Sequence, residues 1–264
     1  MKIPFSKYHG TGNDFIIIDN RKLLWKPEKE EITHLCDRHF GIGADGLMLL
    51  SEQPGFDFYM TYYNSDGRES TMCGNGGRCM IIFAQSLGLT GSEPRFLAVD
   101  GEHLGKVIRD ENARLIRLKM KDVVVDEITD DYFFIHTGSP HYVTFAEGVE
   151  HLDVITEGKK IRYNTRFANE GTNVDFVEIR KDHLFVRSYE RGVEDETLSC
   201  GTGVTASALA YAIKYPSKNT SAEILTKGGN LKVYYKQSGN SFTDIWLEGP
   251  VEFVFEGEIV PRNT

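Results

Sequence analysis

Two stretches of this chain decide its fold: FYMTYYNSDGRESTMCGNGGRCMIIFAQSLGL, residues 58–89, and LFVRSYERGVEDETLSCGTGVTASALAYAIKY, residues 184–215. Each begins with alternating apolar residues, a pattern typical of a β-strand. Each then passes through a polar, acidic loop to Cys-Gly-x-Gly and an apolar segment of helix length. Cys73 and Cys200 therefore occupy equivalent places, 127 positions apart, which indicates an internal duplication.

Three further pairs of motifs outside these stretches keep nearly the same spacing. They are Gly101 with Gly228, Gly43-Ala44-Asp45 with Gly171-Thr172-Asn173, and Gly12 with Gly138, at offsets of 127, 128 and 126. Four anchors in order at nearly one offset indicate two halves of one design. The alternative is a single mixed domain with accidental internal similarity.

The predicted fold class is therefore α/β (α+β), with two pseudo-symmetric domains from an internal duplication. The segments that follow Cys73 and Cys200 are apolar on nearly every side, which is typical of a buried helix. In each domain we expect a strand layer wrapped around one such central helix. The predicted N-terminal half covers residues 1–125, and the predicted C-terminal half covers residues 126–251.

Composition and charge narrow the functional classes. The 264 residues carry a formal net charge of -9, from 39 acidic and 30 basic residues, with no basic block. Nucleic-acid binding is disfavoured, because such proteins normally present a basic face. The longest apolar runs are too short to span a bilayer, and the first residues form no apolar signal segment. We expect a cytoplasmic protein whose four irregularly spaced cysteines are thiols.

The positions of Cys73 and Cys200 suggest paired acid–base chemistry. Each cysteine precedes a glycine-rich helix start, where backbone N–H groups and the helix dipole favour negative charge. A thiol there is expected to have a lowered pKa, and a substrate carboxylate can bind the same N–H groups. We predict that one thiolate removes an α-proton while the other thiol reprotonates the carbanion from the opposite face.

The other cysteines, the histidines and one glycine-rich segment favour structural roles. Cys36 and Cys79 are predicted to be packed core thiols, since a lone cysteine is usually a small buried hydrophobe. The histidines and cysteines show no C-x-x-C or H-x-x-x-H spacing, so no metal site is expected. Gly10-Thr11-Gly12 lacks the fingerprint of a nucleotide loop, and no cofactor is expected.

Six motifs carry a family resemblance. They are His9-Gly10-Thr11-Gly12-Asn13-Asp14-Phe15, Tyr63-Asn64-Ser65-Asp66-Gly67, Met72-Cys73-Gly74-Asn75-Gly76-Gly77-Arg78-Cys79, Gly171-Thr172-Asn173, Tyr189-Glu190-Arg191-Gly192 and Cys200-Gly201-Thr202-Gly203. Over nearly the whole chain the sequence resembles diaminopimelate epimerases. The resemblance implies two pseudo-symmetric α/β domains, with the C-terminal strand, about 252–264, joined to the first. It also implies interconversion of LL- and meso-2,6-diaminopimelate for lysine and peptidoglycan precursors, without pyridoxal phosphate or metal, by a homodimer.

The resemblance also implies roles for individual residues. Cys73 and Cys200 would be the catalytic pair. The reacting carboxylate would be held by Gly74, Asn75, Gly201 and Thr202. The rest of the substrate would be held by Asn13, Asn64, Asn173, Glu190 and Arg191, while His141 and Glu190 would tune the cysteine pKa values. The alternatives are turn roles for the asparagines, a solvated Glu190–Arg191 pair, and a packed, hydrogen-bonded His141.

Two departures from the family pattern and two rival functions remain open. Many members have Gln at the position of Gly46 and Asn at the position of Ser139. One rival is a proline racemase or hydroxyproline epimerase of the same fold. The other is a non-catalytic relative that uses the two cysteines as a redox switch.

Overall fold

The computed structural model describes residues 2–109, 114–125 and 127–260. The chain divides into two compact units, of which the second is Lys119–Glu248. The first comprises the described residues up to Leu118 and from Gly249 onward. The domain limits 1–125 and 126–251 stay a prediction, because position 126 and residues 261–264 lie outside the described residues.

The first unit contains two helices and most of its strands in the N-terminal part of the chain. Its elements are β1 (Ile3–Gly10), β2 (Asn13–Asp19), α1 (Lys29–Cys36), β3 (Gly46–Ser51), β4 (Phe58–Asn64), β5 (Glu69–Ser70), α2 (Gly74–Ser86), β6 (Arg95–Ala98), β7 (Gly101–Arg109) and β8 (Arg114–Lys119). Strands β2 and β3 are parallel, as are β4 and β6. Antiparallel pairs join β1 to β2, β3 to β4 and β6 to β7.

The second unit repeats this order of elements, with two short strands added at its start and a 3-10 turn before its first helix. Its elements are β9 (Val123–Val124), β10 (Glu127–Ile128), β11 (Phe133–His136), β12 (Pro140–Phe145), a 3-10 turn (Val149–His151), α3 (Val154–Arg162), β13 (Asn173–Ile179), β14 (Leu184–Glu190), β15 (Asp195–Thr197), α4 (Gly201–Lys214), β16 (Ser221–Thr226), β17 (Gly229–Ser238) and β18 (Ser241–Pro250). The last strand, β19 (Glu252–Ile259), pairs antiparallel with β1, with Ile259 opposite Ile3.

Strand pairing confirms the predicted pseudo-symmetry. β12 is parallel to β13 and β14 to β16, while β11–β12, β13–β14 and β16–β17 are antiparallel, as in the first unit. One anchor was misplaced by a residue. Gly101 and Gly229 each open the second strand of a hairpin at positive φ, +116° and +135°, so Gly101 corresponds to Gly229 and not to Gly228. The sequence match took the wrong member of a Gly-Gly pair, although only the second needs glycine's freedom at positive φ.

The helices α2 and α4 form the buried centres of their units, as predicted. Every residue of 79–84 in α2 and of 203–210 in α4 is buried.

Strand β2 shows why this fold suits the sequence. Its residues 15–18 are all fully buried, with Phe15 and Ile17 in the cluster around α2 and Ile16 on the side of α1. A parallel strand covered on both faces reads as a continuous apolar run.

Strand β13 places polar groups beside α4. Val174 and Phe176 pack in the cluster that contains Val154 of α3, whereas Val177 packs with α4. Because side chains alternate along a strand, Asn173 and Asp175 share the α4 side with Val177. The described residues contain no helix that is long and apolar enough to cross a membrane.

Candidate active site

Both predicted catalytic cysteines are N-cap residues of the central helices. Cys73 (φ −88°, ψ 132°) precedes α2, and Cys200 (φ −112°, ψ 110°) precedes α4. The first N–H groups of a helix have no partner within it, and the dipole places partial positive charge there. Neither first turn contains an acidic residue. Each thiol therefore lies at a helix end that can bind an anion.

At the start of α2, three of the predicted site residues meet. The half-buried Cys73 thiol donates to Asn13 Oδ1 at 3.5 Å, and Asn75 Nδ2 donates to the same oxygen at 3.2 Å. Asn13 follows a two-residue hairpin turn, Thr11-Gly12, in which both φ angles are positive, +50° and +84°. Such a turn matches the twist of the flanking strands and directs Asn13 to the start of β2.

A charged network behind Asn13 was not predicted. Asn13 Nδ2 donates to Asp45 Oδ2 at 2.6 Å, and Arg38 bridges Asp45 and Asp14 at 2.8 and 2.7 Å. The buried Lys7 also pairs with Asp14, at 2.8 Å. Burial alone would raise the pKa of Asp14, but the hydrogen bonds from Arg38 and Lys7 lower it to about 2. The network thus fixes the amide of Asn13 through a carboxylate.

At the start of α4, a buried polar chain runs from the thiol to a carboxylate. Cys200 Sγ lies 3.4 Å from Thr202 Oγ1, which lies 2.9 Å from His141 Nε2. His141 Nδ1 is 2.7 Å from Asp175 Oδ2, and both of these side chains are fully buried. His141 is therefore packed and hydrogen-bonded, and the Thr202 hydroxyl lies between its ring and the Cys200 thiol. The packed, hydrogen-bonded alternative for His141 is thus observed, and its pKa-tuning role stays a prediction.

Asp175 was missed by sequence reasoning, although a signal was present. It is the one acid in the buried part of β13, NVDFV, where every other neighbour is apolar or Asn173. Ser188 Oγ donates to its second oxygen at 2.6 Å. A Cβ at Gly203 would lie only 2.3 Å from that oxygen, so glycine in the first turn of α4 leaves room for the carboxylate.

The surroundings of Cys200 show that the lowered pKa predicted for this thiol is wrong. A lowered pKa was expected at a helix start, but the pKa of Cys200 is raised well above its usual value. Burial is the main cause, followed by the negative charges of Glu190 and Asp175. Burial also raises the pKa of Glu190, which accepts a hydrogen bond from Thr197. Desolvation of a thiolate thus outweighs the helix dipole at this end.

The two remaining cysteines are packed thiols, as predicted. Cys36 is 4% exposed and Cys79 is fully buried, and neither is part of a disulfide. Burial raises the pKa of Cys36 to about 12 and also raises that of Cys79.

In the second unit, the side chain of Asn173 is hydrogen-bonded to the backbone of Arg191. Asn173 is 4% exposed, and its Nδ2 donates to Ser139 Oγ at 2.8 Å and to the Pro140 carbonyl at 2.9 Å. Its Oδ1 accepts the backbone N–H of Arg191 at 2.9 Å. The guanidinium of Arg191 is exposed, and Nη1 donates to the Glu170 carbonyl at 2.8 Å. Asn173 therefore acts chiefly on neighbouring groups of its own unit.

Asn64 and Gly46 lie opposite each other on β4 and β3. Asn64 opens a turn, because its carbonyl accepts the N–H of Gly67, yet its side-chain amide makes no hydrogen bond within the described part of the chain. At Gly46 a Cβ would lie 2.5 Å from both the Tyr62 ring and the Tyr63 carbonyl. The missing glutamine of the family pattern has no space here.

Comparisons with known proteins agree on one family. The family model described as diaminopimelate epimerase matches residues 5–125 and 133–254. A diaminopimelate epimerase from Flavobacterium psychrophilum is 49% identical over 255 residues, covering 96% of this chain and 98% of the relative. One from Chlorobaculum tepidum is 42% identical over 259 residues, covering 95% and 98%.

Solved structures with low sequence identity share the fold. A phenazine biosynthesis protein of the PhzF family from Bacillus anthracis superposes with a TM-score of 0.73 at 14% identity, over 99% of this chain and 100% of that one. A hydroxyproline epimerase from Agrobacterium vitis superposes with a TM-score of 0.72 at 13% identity, over 98% and 92%. At this identity the likeness concerns the fold alone.

Proposed function

We propose a function from one premise: the chain belongs to the diaminopimelate epimerase family. The proposed reaction is epimerisation of one α-carbon of 2,6-diaminopimelate, between the LL and meso forms, without a cofactor. The observation that supports it best is the repeated helix start, in which a cysteine N-caps each central helix at an equivalent position. A reaction that needs one proton acceptor and one proton donor uses both copies.

The proposed mechanism assigns Cys73 and Cys200 as base and acid on the same α-carbon. A thiolate takes the α-proton, and the electron pair left on carbon is delocalised into the adjacent carboxylate. The thiol of the other cysteine then donates its proton to carbon, which leaves that cysteine as the thiolate. The N–H groups at Gly74-Asn75 and Gly201-Thr202 would bind the carboxylate and stabilise its growing charge.

The surroundings of Cys200 support a resting state in which this cysteine is the thiol. Burial and the nearby acids Glu190 and Asp175 disfavour its thiolate, as its raised pKa indicates. When Cys200 gives up its proton, Thr202 and His141 would reorient their hydrogen bonds. Both groups belong to the hydrogen-bonded chain that begins at Cys200 Sγ. His141 and Glu190 are thus proposed to tune this thiol.

The distal amino and carboxylate groups of the substrate need further polar partners. We assign Asn13, Asn64, Asn173, Glu190 and Arg191 to this recognition. The exposed guanidinium of Arg191 suits a carboxylate, because its planar fork can make two parallel hydrogen bonds. Asn173 would act by holding Ser139 and the backbone of Arg191 in place.

Two further proposals concern location and assembly. A cytoplasmic location suits a chain in which Cys36, Cys73, Cys79 and Cys200 form no disulfide. A homodimer would cover the half-exposed apolar side chains of β19, Phe253, Val254 and Phe255, which are 50%, 49% and 43% exposed. Sedimentation of the purified protein tests the dimer, and a monomer at micromolar concentration would contradict it.

Incubation with pure LL-diaminopimelate in deuterated water tests the function. We expect meso product that carries one α-deuterium, without added pyridoxal phosphate or metal. Parallel incubations with L-proline and trans-4-hydroxy-L-proline test the rival isomerase. Inversion of either imino acid with no turnover of diaminopimelate would contradict the assignment. A protein inert towards all three that forms a reversible disulfide would favour the redox switch.

A further inference from the structure

Arg78 lies inside α2, one turn after Cys73, and its side chain is fully buried. Its Nη2 donates to Asn75 Oδ1 at 2.9 Å and to Thr11 Oγ1 at 3.4 Å, while Nη1 donates to the Gly74 carbonyl at 3.4 Å. Its Nε has no hydrogen-bond partner, and no carboxylate forms an ion pair with it, among residues 2–109, 114–125 and 127–260. A buried charge is costly unless an opposite charge compensates it.

Arg187 shows what a compensated buried arginine looks like in the same chain. It is 7% exposed, and its guanidinium makes a two-pronged ion pair with Glu196 at 2.6 and 2.7 Å. Its remaining nitrogen donates to the carbonyls of the 149–152 segment. Arg187 therefore has a structural explanation within its own unit. Arg78 has no such counter-charge, and this difference points to an anion that is formed or bound during function.

The hydrogen bonds of Arg78 also determine which way the Asn75 amide points, while Asp45 fixes the amide of Asn13. A guanidinium only donates, so Asn75 must turn its Oδ1 towards Arg78 and its Nδ2 towards Asn13. Asn13 in turn directs its Oδ1 to Asn75 and its Nδ2 to Asp45. This places the Asn13 oxygen where the Cys73 thiol donates to it. Gly10 leaves room for the guanidinium, because a Cβ there would lie 3.2 Å from Nη2.

We propose that Arg78 is a positioning residue for Cys73. Its buried charge stabilises an anion at the start of α2, first the Cys73 thiolate and then the substrate carboxylate, and its hydrogen bond orients Asn75. This proposal deepens the proposed function and rests on it for the substrate. Cys79, the titratable neighbour in α2, stays a thiol because burial raises its pKa.

Other charged groups near Cys73 are already paired. They are Asp45 and Asp14 with Arg38 and Lys7 behind Asn13, and Asp100, which accepts the Met72 N–H at 3.2 Å and pairs with His103 at 3.1 Å. Of these charged groups in the described part of the chain, Arg78 is thus the cation that has no carboxylate partner.

Alkylation of Cys73 by iodoacetamide as a function of pH tests the proposal without substrate. Peptide mass mapping reads Cys73 and Cys200 separately in the same sample. For Arg78→Gln we expect the Cys73 midpoint to rise by about one pH unit, a roughly tenfold slower reaction near pH 7, with Cys200 unchanged. Arg78→Lys should keep the Cys73 midpoint but lower kcat, because an ammonium orients Asn75 poorly. Arg187→Gln is the matched control and should lower Tm without moving the Cys73 profile.

Two outcomes would overturn the proposal. One is a wild-type Cys73 profile in folded Arg78→Gln, and the other is an equal shift of both cysteines, which would indicate a global disturbance. If Arg78→Gln does not fold, Arg78→Met, which fills much of the same buried space without a charge, is tested by the same two criteria. Because alkylation needs no diaminopimelate, the result is independent of whether the proposed reaction occurs.

Discussion

The helix starts at Cys73 and Cys200 share their backbone geometry and differ in the charges buried around them. Both cysteines are extended N-caps followed by glycine. Beside Cys73 lies the buried cation of Arg78, whereas beside Cys200 lie the carboxylates of Asp175 and Glu190. Duplication thus supplies two similar anion-binding helix ends, and the residues packed against them differentiate the two thiols. A proton acceptor and a proton donor can be made from one motif in this way.

Removal of either thiol should cause the largest loss of activity, because the proposed mechanism needs both. Cys73→Ala and Cys200→Ala should each reduce epimerisation by about 10²–10⁴-fold, the typical contribution of a general acid or base. Both variants should keep the wild-type circular dichroism spectrum, because each change removes one sulfur atom from an N-cap. Turnover of LL-diaminopimelate, followed by α-deuterium uptake, is the measurement. Near wild-type rates in either folded variant would rule out the two-cysteine mechanism.

Alanine at the third position after each cysteine should affect the two helix starts unequally. At Gly203 the new Cβ would lie 2.3 Å from Asp175 Oδ1, whereas at the equivalent Gly76 it would meet the flexible Met48 thioether at 3.1 Å. Gly203→Ala should lower the free energy of unfolding by about 1–3 kcal/mol, as overpacking does, and reduce kcat. Gly76→Ala is the matched control. Equal losses in urea unfolding would contradict the proposed packing of Asp175.

Neutralising Glu190 should reduce the electrostatic difference between the surroundings of the two thiols. Removal of a nearby negative charge favours a thiolate, so Glu190→Gln should lower the pKa of Cys200. We expect the midpoint of Cys200 alkylation to fall by about one pH unit, or about tenfold in rate below it, with Cys73 unchanged. Glu194→Gln serves as the control, because Glu194 bonds Tyr163 and Tyr189. A Cys200 profile that is the same in all three proteins would argue against Glu190 as a tuning group.

The network behind Asn13 should give the smallest effect, on stability in acid. The pKa of Asp14 is lowered from 3.8 to about 2, so its contribution is present above pH 4 and is lost as the pH falls through 2. That contribution is about 2.4 kcal/mol in all, and Arg38 supplies only part of it because Lys7 also pairs with Asp14. Arg38→Gln should therefore reduce the free energy of unfolding at pH 7 more than at pH 2. Arg95→Gln, which breaks an exposed pair with Glu102, should change little at either pH.

The sequence predicted the parts of this site that follow from local chain chemistry. A cysteine before Gly-x-Gly and an apolar run is sufficient to place Cys73 and Cys200 at helix starts. The packed state of Cys79 follows from its place six residues into the same apolar run. These features depend on neighbours along the chain, so periodicity and turn chemistry reveal them.

The features that the sequence did not reveal depend on tertiary burial. Asp175 and Arg78 each interrupt an apolar segment, but only the structure shows that one has a histidine partner and the other has no carboxylate among the described residues. The raised pKa of Cys200 has the same origin, since the helix dipole is a local feature and desolvation is not. Gly46 departs from the family pattern, and the adjacent strand supplies a steric reason for glycine that the sequence does not reveal.

Gly46 also limits the substitutions that this protein can accept during evolution. The Tyr62 ring and the Tyr63 carbonyl occupy the place where a Cβ would be, so a single substitution at position 46 requires both β4 and its side chain to move. Glutamine at this position therefore requires an accompanying change in β4. A difference between family members that involves one residue in the sequence involves at least two neighbouring strands in the structure.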